Sequence, residues 1–110
     1  MTVRTVLAAT VAAALLTGCA ASASHIVAID VPVSRYAGLD CGAARAQLAE
    51  RRALEAVLAR RQDTAAQRDT AGVALIGLPV GSIFRGNVAD DLAQVKGEVR
   101  ALEMRTAAAC

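Results

Sequence analysis

Asn87-Val88-Ala89-Asp90-Asp91-Leu92-Ala93-Gln94-Val95-Lys96-Gly97-Glu98-Val99-Arg100-Ala101-Leu102 is the stretch on which the fold is read. Its apolar residues Val88, Leu92, Val95, Val99 and Leu102 follow one another at steps of four, three, four and three. That is the seam of a helix that packs along its length on another helix. Asn87 is placed to cap the helix, with Asp90 at the capping-box position and Asp91 beside it at the positive end of the helix dipole. Arg100 and Arg105 sit toward the negative end, and 107–110 is a short tail. Gly97 costs such a helix about 1 kcal/mol relative to alanine, unless a partner approaches closely there.

The partner helix is found upstream. Tyr36-Ala37-Gly38-Leu39-Asp40-Cys41 reads as a turn into a helix start, with Asp40 as N-cap and Leu39 as a hydrophobic staple. From Cys41 to about Thr70 no residue breaks a helix, and Ala43, Ala44, Leu48, Leu54, Leu58 and Ala65 share one broad face. Arg51 and Glu55 intrude on its edge, and the mixed charges from Glu50 to Asp63 read as a solvated surface. An apolar run over 71–84, interrupted by Gly72, Gly77, Pro79 and Gly81, can extend this helix to about Leu78 before Pro79 turns the chain. Gly77 and Gly81 have the spacing of a membrane-helix dimer face, but the proline between them spoils it. The fold expected is all-α: an antiparallel two-helix hairpin over 40–110 with an apolar Gly/Pro bend at about 71–86.

In front of the hairpin stands Leu16-Thr17-Gly18-Cys19, preceded by basic Arg4 and an apolar run from Val6 to Leu16. The run is too short to span a bilayer and has the layout of a secretory signal. The four residues resemble the lipobox of bacterial lipoprotein precursors. The resemblance implies a signal peptide over 1–18, cleavage before Cys19, a diacylglyceryl thioether on its sulfur and a third acyl chain on the new amino terminus. Lipid chains of that number anchor a protein stably. Because Ala20 is not aspartate, the sorting habit of such lipoproteins implies the periplasmic face of the outer membrane of a Gram-negative cell. The segment 19–39 then reads as lipidated cysteine plus extended tether: small and polar over 20–24, β-branched from Ile26 to Val33, with Pro32 limiting any strand to an edge. His25 has no acid, nucleophile or second histidine near it in sequence and reads as a solvated tether residue.

Composition narrows function further. Loss of the signal leaves about 92 of 110 residues and one domain at most. Tyr36 and Phe84 are the only aromatic residues, so a deep pocket with bulky walls is hard to build, and no small-molecule substrate or cofactor is expected. The formal charge of +2 gives no basic excess of the kind nucleic-acid binders carry. No phosphate-cradling loop, nucleophile elbow, His-Glu-x-x-His or Cys-x-x-Cys is present, and adjacent Asp90 and Asp91 point to different helix faces. An enzyme is not expected.

With Cys19 used by lipid, two of the three cysteines remain, and in an oxidising compartment such a pair is normally a disulfide. Two free thiols are one alternative; a metal site adding His25 is the other, and lacks a fourth ligand and a known spacing. Helices of about 55 and 33 Å, at 1.5 Å per residue, leave a mismatch of about 22 Å. Residues 78–86 can cover it by running back along the longer helix, which brings Cys110 level with Cys41.

The pieces together resemble a set of small proteobacterial lipoproteins. The likeness rests on the lipobox, the Tyr36 to Cys41 entry, Asp69-Thr70-Ala71-Gly72-Val73, Val95-Lys96-Gly97-Glu98 and a terminal cysteine. It implies no activity and no binding residues. The function expected is a membrane-anchored envelope lipoprotein serving as a structural or adaptor module, held in the bilayer through Cys19 and associating with another envelope protein or itself by helix packing. The alternative is a small membrane-active protein whose bend, 71–84, enters the bilayer. Leu75, Ile76, Leu78, Val80, Ile83 and Phe84 are the candidate contacts with membrane or partner.

Overall fold

The computed structural model describes residues 20–77 and 88–110. It is all-helical, with α1 over Cys41–Ile76 and α2 over Ala89–Ala109 packed against each other. Cross-links fix the direction: Cys41 pairs with Cys110, Arg52 with Glu103, and Gln62 with Val88, so the helices run antiparallel. At 1.5 Å per residue α1 is about 54 Å long and α2 about 32 Å, so the C-terminal part of α1 overhangs by about 22 Å.

Both ends of α1 follow from local chemistry. Asp40 has extended backbone, and its Oδ1 accepts from the Ala43 N–H at 2.8 Å, as the cap reading requires. Gly77, at φ 74°, ends the helix in the left-handed conformation that costs glycine least, and its N–H donates to the Val73 carbonyl at 3.1 Å. Termination thus falls on Gly77, two residues before the proline that was expected to force it. The start of α2 differs more. Val88, not Asn87, occupies the N-cap position and offers no side-chain cap. Its N–H is satisfied from the other helix, donating to Gln62 Oε1 at 2.7 Å. Asn87 lies outside the described residues.

The seam of α2 is buried as its spacing predicts: Leu92 and Leu102 are fully enclosed, and Val88, Val95 and Val99 nearly so. The face of α1 needs correcting. Ala43 and Leu54 were placed on it and are exposed. The buried or half-buried line is Ala44, Leu48, Arg51, Glu55, Leu58, Gln62, Ala65, Asp69 and Gly72, at unbroken steps of four and three. Four of these nine are polar, which is why hydrophobicity alone traced the line imperfectly.

A third layer covers the hairpin. Residues 20–39 are extended between two 3-10 turns, Ala23–His25 and Val33–Tyr36, and no strand occurs among the described residues. The segment is not a free tether. It runs from the level of Asp69 down to the start of α1 as a strap, burying Ala23, Val31 and Tyr36 against both helices. Gly97 explains the route. A Cβ built there would collide with the Ile29 carbonyl oxygen and stand 2.9 Å from Val31 Cγ2. With no side chain at 97 the backbone of α2 is bare, and the Ile29 N–H donates to the Ala93 carbonyl at 3.1 Å. The close partner that would offset the glycine is the chain's own strap.

Candidate functional site

Polar side chains hold the strap, and they converge from both helices. Gln62, fully buried, donates through Nε2 to the Ala21 carbonyl at 2.7 Å while its Oε1 takes the Val88 N–H, so one amide joins strap, α1 and α2. Asp63 Oδ1 accepts from the Ala23 N–H at 2.7 Å, and buried Asp69 accepts from the Ala20 N–H through Oδ2 at 2.6 Å. Lys96, the sole lysine, donates to the carbonyls of Ala23 at 2.7 Å and Ile26 at 2.9 Å. Arg105 donates from Nε and Nη2 to the Leu39 carbonyl, at 3.0 and 2.6 Å. Glu98 gathers three groups: Gln94 donates to its Oε1 at 3.0 Å, Arg35 of the strap approaches the same oxygen at 4.0 Å, and Arg51 Nε stands 3.3 Å from Oε2 without hydrogen-bond alignment. The sequence reads Arg51 and Asp63 as solvated surface and Arg105 as a charge at the helix dipole; Asp69 and the Val95-Lys96-Gly97-Glu98 patch stand out only as marks of the resemblance, and that patch is where the strap crosses.

At one end of the molecule Cys41 and Cys110 Sγ atoms lie at disulfide distance, 2.10 Å, with Cα atoms 5.2 Å apart. At the other end α1 projects past α2, and Leu75 and Ile76 are exposed to 83% and 65%. They are the two candidate contacts that can be placed; Leu78, Val80, Ile83 and Phe84 lie outside the described residues, as does Cys19. Arg68, Ala71 and Gly72 line a shallow groove with them. The strap begins at this same end, through Ala20 on Asp69.

Chemistry beyond packing is sparse. His25 is exposed, with Nδ1 2.6 Å from Ser22 Oγ. Among the described residues no cluster of His, Cys, Asp or Glu could hold a metal ion. With principal extents of 67 × 24 × 16 Å the molecule is a rod less than two helix diameters thick in its narrowest direction, so its grooves are surface features. No described helix is long and apolar enough to cross a membrane. Fold and surface define a disulfide-closed helical hairpin bound by an N-terminal strap. Comparison with protein-family models, with curated proteins and with solved structures finds no match to this chain.

Proposed function

We propose that the chain is an envelope protein anchored by acyl chains on Cys19, at the periplasmic face of the outer membrane, and that it works as a non-catalytic structural or adaptor rod. One observation carries the reading. Ala20, the residue after the lipobox cysteine, already belongs to the packed structure, its N–H bonded to a buried carboxylate 49 residues away. A lipidated Cys19 would therefore be joined to the rod without slack, which suits a part whose position relative to the bilayer matters. Leu54 and Val57, exposed on the outer side of α1 among mixed charges, offer a helix-packing face to an envelope protein or a second copy.

Replacing Cys19 with alanine tests the anchor: the precursor should stay uncleaved and lose its acyl mass. A variant still processed and still bound after a carbonate wash would sink it. Cross-linking in living cells, followed by pull-down of the wild type and of a Leu54→Glu, Val57→Glu variant, tests the adaptor role. A partner captured equally by both does not use this face. The membrane-active alternative draws on the exposure of Leu75 and Ile76. It predicts that the wild type releases dye from vesicles and that an Ile76→Asp, Ile83→Asp variant does not.

A further inference from the structure

We infer that the overhanging tip of α1, Leu75 and Ile76 with Arg68 behind them, is a docking surface for a phospholipid bilayer, so that the rod meets the membrane tip first. The inference rests on Cys19 being the lipid-bearing residue and adds where the protein, apart from its acyl chains, touches the lipid.

Three observations place the bilayer there. The first is where the chain outside the structure joins it. Ala20 is held on Asp69. Cys19 precedes Ala20 in the sequence, so acyl chains on it would be attached one residue step, about 3.8 Å, before the residue that Asp69 holds. Seven residues separate Asp69 from Ile76. At 1.5 Å each they put the tip about 10 Å farther along α1, comparable to the depth at which apolar helix faces enter the headgroup region.

The second is the surface itself. Beyond Thr70 the exposed residues of α1 and its cap are Ala71, Ala74, Leu75, Ile76 and Gly77, without a polar side chain.

The third is charge. Over 66–77 the one exposed charged side chain is Arg68, because Asp69 is buried, and a guanidinium on an apolar stem can stay at headgroup level while the tip enters. The exposed acids Asp90 and Asp91 open α2 near the level of Gln62. That is about 20 Å back along α1, roughly twice the screening length at 0.1 M salt.

The chain has no tryptophan, so one introduced residue reports alone. Full-length lipidated protein carrying Leu75→Trp is reconstituted into phosphatidylethanolamine and phosphatidylglycerol vesicles whose acyl chains are brominated. The control is Met104→Trp, an exposed site about 35 Å away toward the disulfide end. The L75W emission should shift to the blue, be quenched by the bromolipid and lose most of its quenching by iodide, while M104W stays in water. Anchoring is read separately, from the mass of the N-terminal peptide and flotation with the vesicles. A lipidated, floating L75W protein still open to iodide overturns the docking and leaves the anchor standing. A tryptophan shielded from iodide but untouched by bromolipid means that protein covers the tip, which also overturns the docking. A chain without acyl mass that does not float overturns both.

Discussion

Gly97 and the Ile29 carbonyl oxygen are so close that the smallest side chain at position 97 would collide with the strap backbone. An exposed helix would gain about 1 kcal/mol from a glycine-to-alanine change. Here the obstacle is backbone, which cannot rotate aside, and overpacking of this kind costs about 1 to 3 kcal/mol. Gly97→Ala should therefore destabilise the protein or lift the strap, reversing the propensity gain. Urea denaturation gives the sign. Faster hydrogen exchange at the Ile29 amide distinguishes a lifted strap from a weakened hairpin.

Gln62 is a sharper case because one fully buried amide serves two backbone partners. Gln62→Leu keeps the volume and abandons both the Ala21 carbonyl and the Val88 N–H. The Val88 N–H is buried and costs about 1 to 3 kcal/mol when left unpaired, whereas the Ala21 carbonyl is only part-buried and can turn to water, so a loss of about 1 to 3 kcal/mol is expected. A melting curve indistinguishable from the wild type would mean that water replaces the amide at both ends.

The hairpin was legible where the code is hydrophobic spacing. Val88, Leu92, Val95, Val99 and Leu102 were traced from steps of four and three and are all buried, and Asp40 was found by the rule that a helix start wants a short acceptor. The second seam was half hidden, because Arg51, Glu55, Gln62 and Asp69 occupy its steps and their burial depends on partners distant in sequence. The strap was invisible as a packed layer for the same reason. Small and β-branched residues predict extended backbone, but what binds it is a glycine on another helix and carboxylate, amide and ammonium groups 40 to 73 residues away. Gly97 was the available signal: a glycine in the middle of a packed helix asks what comes close.

The disulfide should matter through the unfolded chain. Cys41 and Cys110 are separated by 69 positions, and closing a loop of that size stabilises by about 4 kcal/mol in the chain-entropy model. Cys110→Ser should lower the urea midpoint accordingly. Dithiothreitol should lower the wild type to the same level and leave the variant unchanged; a reductant effect on the variant would show that another group is responsible.

Lys96 holds the first turn of the strap by two bonds to carbonyls. Lys96→Met preserves the stem and removes the ammonium, and bonds to a charged group contribute about 1.5 to 3 kcal/mol each when partly buried. The hairpin contacts are untouched, so the loss should appear locally. Thermolysin is expected to cut near Ile26 and Val27 faster in the variant, with far-UV circular dichroism unchanged. Equal cutting rates would mean that Gly97 and the buried Val31 hold the strap unaided.

Asp63 and Asp69 make the same kind of bond to the strap in different surroundings, and that contrast yields the last prediction. Each accepts a backbone N–H of the strap, but Asp63 is exposed while Asp69 is fully buried. Water can replace an exposed acceptor, so Asp63→Asn should change stability by less than about 0.5 kcal/mol. Asp69 is fully enclosed, and weakening a buried bond there should cost about 1 to 3 kcal/mol. The Ala20 amide should also exchange faster in Asp69→Asn than in Asp63→Asn, because Ala20 is the residue that Asp69 holds. If both variants behave alike, burial of Asp69 is not what fixes the start of the strap, and the slack-free attachment proposed for a lipidated Cys19 loses its physical basis.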